Sequence, residues 1–158
     1  MKKHNVPVRE ARPDDAEACS KVLCASIRVL CMADHRGDTV ILGKWLANKT
    51  PSSLARWIEG TTSKIYVAEI EGQVAGVGGI DHGSEITLNY VSPSFRFHGV
   101  SGAILTALED VVRQRGFDYA ALTSTTTAHG FYVHMGWHDA GPPETWLGMQ
   151  GFPMSKQL

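Results

Sequence analysis

Between Val91 and Leu105 the chain reads Val-Ser-Pro-Ser-Phe-Arg-Phe-His-Gly-Val-Ser-Gly-Ala-Ile-Leu. Gly99 and Gly102 permit close backbone approach, and the residues that follow take helical spacing. A loop that opens a helix presents outward-pointing amides with partial positive charge. Backbone N–H groups at His98 to Gly102 therefore suit a phosphate, and Arg96 adds a fixed cation. Ordinary loop chemistry explains the same glycines as well. Two rival phosphate motifs fail. A Walker loop needs a lysine, and this loop has none. A GxGxxG fingerprint belongs to an early βαβ unit, whereas Gly99-Val-Ser101 follows three strands with short connections.

Other reactive residue types are scattered. Cys19, Cys24 and Cys31 fall in one expected helix, without CxxC spacing. Three cysteines so placed fit small apolar core residues better than a disulfide framework or a zinc site. His134 and His138 are four apart, but Gly136-Trp137 should end the helix between them, so no metal site is expected.

The elements that must position these groups follow from periodicity. Val6 to Ala11 reads as a strand. Pro13-Asp14-Asp15 opens a helix whose apolar positions are Cys19, Val22, Leu23, Ile27 and Leu30. Gly37 and Gly43 interrupt the next stretch, although Val40 to Leu46 suits a short helix. Thr50-Pro51 starts another helix that stops at Gly60. Strands follow at Ile65–Ile70, Val74–Ile80 and Glu85–Val91, an antiparallel meander by their short links. Ser101 to Arg115 is a helix with an apolar stripe. Then come a strand at Tyr119–Leu122, a helix at Ala128–Met135, and closing strands at Trp137–Ala140 and Gly151–Met154. The expected fold is α/β: a mixed, mostly antiparallel sheet flanked by helices in one domain, 1–158.

With 158 residues, 43% of them apolar, the chain is long enough for one packed core. Net charge is −1, and the longest basic run is Lys2-Lys3, which gives no basis for nucleic-acid or anionic-membrane partners. No apolar run reaches the length of a membrane span, and Met1 to Arg9 has no signal-peptide stretch. The expected location is cytoplasmic.

Arg96-Phe97-His98-Gly99-Val100-Ser101 resembles motif A of the GNAT N-acetyltransferase superfamily, Arg/Gln-x-x-Gly-x-Gly/Ala. Ser101 departs at the last position. Ala128-His-Gly-Phe131-Tyr132-Val-His-Met-Gly136-Trp137 resembles motif B, with Thr125 where asparagine is usual. The strand order also fits, so the resemblance covers nearly the whole chain.

The resemblance implies acetyl transfer from acetyl-CoA to a primary amine of a small molecule or peptide, in a ternary complex and without a metal. It implies that His98 to Gly102, with Arg96, Phe97 and Val100, hold the pyrophosphate. It places the pantetheine arm along Asn89, Tyr90 and Val91, with Thr125 opposite and an oxyanion donor near Tyr90 or Val91. Tyr132 matches the general acid. The base stays open between Glu85 and Asp81, and Asn89 could orient a water or the acceptor. The acceptor pocket is expected between Cys31 and Trp57, where Asp34, Asp38 and Trp45 would suit a cationic amine. Two alternatives remain: an acyl-CoA sensor without turnover, and an interaction protein with Trp137, Trp146 and Phe152 at a homodimer interface.

Overall fold

The computed structural model describes residues 5–158; Lys2-Lys3 lie outside them. Its first half is an antiparallel meander of β1 (Val8–Glu10), β2 (Lys64–Ile70), β3 (Gln73–Ile80) and β4 (Ile86–Val91), in that spatial order. The second half pairs β5 (Tyr119–Ser124) and β6 (His138–Asp139) with the long β8 (Met149–Gln157), which also carries β7 (Glu144–Trp146). The expected sheet is therefore present, but its halves meet only at a parallel bridge between Glu85 and Ala121, where Ala121 N donates to Ser84 O at 3.0 Å. Beyond it β4 and β5 diverge.

Helices cover both faces. On one, α1 (Ala16–Leu30) and α4 (Pro51–Glu59) bury Cys19, Leu23 and Leu54 against Ile65, Val67 and Val77. On the other, α5 (Val100–Gln114) and α6 (Thr126–His134) contribute Ile104, Leu105, Leu108 and Tyr132 to the larger core. Thr50 caps α4 by accepting from Ser53 N, so both ends of that helix fall where the sequence puts them.

The interrupted stretch after α1 folds as α2 (Met32–His35) and α3 (Thr39–Leu46). Cys31 closes α1 rather than lying within it. His35 is 1% exposed and stitches this corner together: Nε2 lies 3.0 Å from Ile27 O, and Nδ1 accepts from Gly37 N. With Nδ1 accepting, Nε2 is the donor to the carbonyl.

The α5–β3 contact sets the site. A Cβ at Gly76 would lie 2.5 Å from Val100 Cγ1, and one at Gly78 2.5 Å from Ile104 Cγ2. Both glycines let α5 sit close on the sheet, which holds its first turn at the end of β4. A buried staple fixes the other side of α5: Glu109 accepts from Trp137 Nε1 at 3.1 Å and from Lys156 Nζ at 2.9 Å. Trp137, 1% exposed, is thus a core residue and not part of a surface interface. Gly78→Val should destabilise the protein by about 1–3 kcal/mol through overpacking, read from urea unfolding midpoints, while Gly43→Ala, with open space at its Cβ, should not.

Candidate active site

Two cavities open on either side of the gap between β4 and β5. The first, about 370 Å³, runs from the α5 start past Tyr90 and Val91 to Phe131 and Tyr132. The second, about 340 Å³, is walled by Trp45, Lys49, Tyr90 and the β7–β8 hairpin. Tyr90 and Thr125 line both, and a wedge of about 50 Å³ lies between the diverging strands.

The α5 start is built as an anion would require. Gly99 is its N-cap with φ 77°, in the left-handed region, and no side chain caps the first turn. The first amides of the helix therefore lack intrahelical partners. Space is open where a Gly99 Cβ would stand, and the nearest atom to one at Gly102 is Met135 Cε, at 3.8 Å. Arg96, Phe97, Gly99, Val100, Ser101 and Gly102 all line the first cavity. His98 does not; its ring stacks edge-on against Phe95. Phe97 is 88% exposed and takes φ 68°, an unusual conformation for a residue with a side chain.

Asn89 ties this turn to β4. Its Nδ2 donates to Ser101 O at 3.3 Å, and its Oδ1 is buried without a hydrogen-bond partner. Tyr132 is 6% exposed and lines both the first cavity and the wedge. Burial pushes its phenol up to about 12, only partly offset by the Asn89 amide beside it. Tyr132 therefore keeps its proton across the neutral range. Thr125 Oγ1 accepts from Ala128 N at 3.1 Å as the α6 N-cap, which leaves its hydroxyl hydrogen for a ligand.

Burial also pushes the Cys31 thiol, on the wall of the first cavity, up to about 12. At neutral pH roughly one in 10⁵ such groups is thiolate, so Cys31 is a poor nucleophile.

The two candidate bases lie elsewhere. Asp81 Oδ1 accepts from Gly83 N and Glu85 N, which builds the β3–β4 turn. Arg115 clamps the same turn through Asp81 O and Gly83 O. Glu85 stands at the bridge where the halves meet, four residues, or about 13 Å of strand, before Asn89. Neither lines any of these three cavities. A strand-end carboxylate looks near the site in sequence, but the strand runs away from it.

The expected acceptor residues also divide. Trp45 lines the second cavity. Asp34 reaches its wall, but both oxygens are committed: Oδ1 accepts from Thr126 N at 2.7 Å, and Oδ2 accepts from Thr127 N and Thr127 Oγ1. Asp34 holds the start of α6, where the helix dipole favours an anion. Asp38 lies outside the cavities and caps α3, accepting from Val40 N and Ile41 N. Lys49, which lies in the expected Cys31–Trp57 segment, also lines the second cavity. Sequence reasoning overlooked Glu144 with β7, whose Thr-Trp pair after two prolines gave a weak strand signal. Among the described residues there is no cluster of three or more His, Cys, Asp or Glu side chains able to hold a metal, and no helix is long and apolar enough to cross a membrane.

The architecture is a half-split sheet with an open helix start beside the split. Residues 31–158 match the family model "Acetyltransferase (GNAT) domain", and the chain belongs to that family. A GCN5-related N-acetyltransferase from Rhodopseudomonas palustris superposes with TM-score 0.88 at 21% identity, over 100% of this chain and 99% of that one. PaiA N-acetyltransferase from Thermoplasma acidophilum, solved in complex with coenzyme A, gives 0.78 at 16% identity over the full length of both. Nourseothricin acetyltransferase gives 0.54 at 26% identity, over 61% of this chain and 65% of that one. No curated protein sequence matches significantly.

Replacing Asp34 with Ala should cost about 2 kcal/mol of stability through its lost charged hydrogen bonds, and Asp38→Ala about 1 kcal/mol as a lost cap. Thermal denaturation measures both.

Proposed function

We propose that the protein moves an acetyl group from acetyl-CoA directly to a primary amine of a small molecule or peptide. The observation that carries this reading is the shared wall: a cavity that begins at free helix-start amides meets a second cavity at Tyr90 and Thr125. The residues fit coenzyme A. The uncapped α5 turn suits its pyrophosphate, and the orphaned Asn89 Oδ1 offers an acceptor deeper in the cleft.

Acetyl-CoA supplies an activated carbonyl and a thiol leaving group. The chain supplies position and protons. Amides of Val100 to Gly102 and the Arg96 guanidinium hold the phosphates. The exposed edge of β4 at Asn89 to Val91 aligns the arm, and the backbone N–H near Tyr90 faces charge developing on the carbonyl oxygen. Tyr132 gives its proton to the departing sulfur and regains one from the attacking nitrogen, so its net protonation is unchanged. Glu144 is the carboxylate available on the acceptor wall to receive the ammonium's proton through water. Holding both reactants across one wall removes much of the entropic barrier, and the thiol state of Cys31 argues against an acyl-enzyme on that residue.

Free-thiol release from acetyl-CoA over a panel of amines, amino acids, polyamines and peptides tests the reading. Coenzyme A binding without turnover of any of them would leave a sensor, and no binding would remove both. Tyr132→Phe should lower kcat by about 10²-fold with little change in KM for acetyl-CoA. Wild-type activity should rise with pH through the neutral range as the amine loses its proton, with no fall from Tyr132 while pH stays well below its raised pKa of about 12. Gly99→Glu should abolish coenzyme A binding in calorimetry, by bulk, charge and strain at positive φ.

A further inference from the structure

The second cavity holds a positive charge that acetyl transfer does not require. Lys49 is 7% exposed and lines that cavity. Its ammonium makes one side-chain hydrogen bond, to Asn48 Oδ1 at 2.6 Å, and among the described residues it has no ion pair. An ammonium has three donors, so two remain. The Trp57 ring, 5.9 Å from Nζ, compensates weakly. Burial accordingly lowers the pKa of Lys49.

This lysine is held in place. Its carbonyl oxygen accepts from Ser20 Oγ at 2.6 Å, and the next residue, Thr50, caps α4. Trp45 also lines the cavity, but its Nε1 is buried and turned to the Tyr90 phenol, so the lysine is the donor left for a ligand. A buried cation without a counter-ion is costly. One ligand group answers that need: an anionic oxygen acceptor. Glu144, on the same cavity, supplies the opposite charge for an ammonium.

We propose that Lys49 binds a carboxylate on the acceptor, so that the preferred acceptors are zwitterions: amino acids or similar small amino-carboxylates. A cavity of about 340 Å³ suits a molecule of that size. The proposal rests on the acetyl-transfer reading above.

Matched pairs test it. Methionine is compared with 3-(methylthio)propylamine, and phenylalanine with phenethylamine, as acceptors for acetyl-CoA with thiol release as the readout. The carboxylate-bearing member should have the higher kcat/KM by about tenfold or more, the worth of one charged hydrogen bond, mainly through KM. Lys49→Met should bring the ratio within each pair close to one, and Lys49→Arg should keep part of it. A wild-type ratio near one overturns the proposal, and that comparison needs no variant to fold. A ratio that survives Lys49→Met while kcat falls for both members also overturns it, since Lys49 then handles a proton rather than a carboxylate. Failure of the underlying reading looks different: no thiol release with either member of any pair.

Discussion

Everything in the site depends on two strands that start together and do not stay together. β4 and β5 share a parallel bridge at Glu85 and Ala121, then separate. Backbone donors and acceptors on the facing edges are left without each other, and such groups inside a fold need partners. Each strand is tied to its own helix instead. β4 is joined to α5 through Asn89 and Ser101, and the glycines of β3 fix α5. β5 leads into α6 through the Thr125 cap, with Asp34 reaching across from α2 to the same helix start. The gap is therefore held from both sides and is available to an extended ligand.

That arrangement couples the two cavities. Asp34 sits on the acceptor wall, yet its hydrogen bonds end at the helix that carries Tyr132. Tyr90 forms part of both cavities, and burial raises its phenol well above the ordinary range. Asp34 thus links a wall of the second cavity to the helix that carries Tyr132.

What the sequence made legible was local. Thr50-Pro51 and Gly60 bound α4, and the α5 stripe marks its buried face, because caps and periodicity act over a few residues. The motif around Gly99 lies on a cavity wall together with Tyr132, 33 positions further on by residue number, since both fall at ends of regular elements whose order constrains them. Long-range polar pairing was not legible. Asp34 and Thr126 are separated by 92 positions, and nothing near either residue signals the pair. A carboxylate that ties down a helix and one that waits for an amine look alike in sequence. Lys49 falls in the segment expected to wall the acceptor, but its burial was not legible, since lysine beside asparagine in a linker ordinarily faces water.

Charge sharpens the division of labour between the cavities. The first cavity offers backbone amides and one exposed guanidinium, so its positive potential is dispersed, which would suit the diphosphate of the proposed coenzyme. The second has a buried ammonium on its wall, where electrostatic interactions are stronger and an unmatched ligand leaves a buried charge exposed to its own desolvation cost. On the proposed reading, coenzyme recognition rests on backbone groups of the turn and acceptor recognition on the Lys49 side chain, so a side-chain change in the second cavity would alter the choice of amine more than one in the turn.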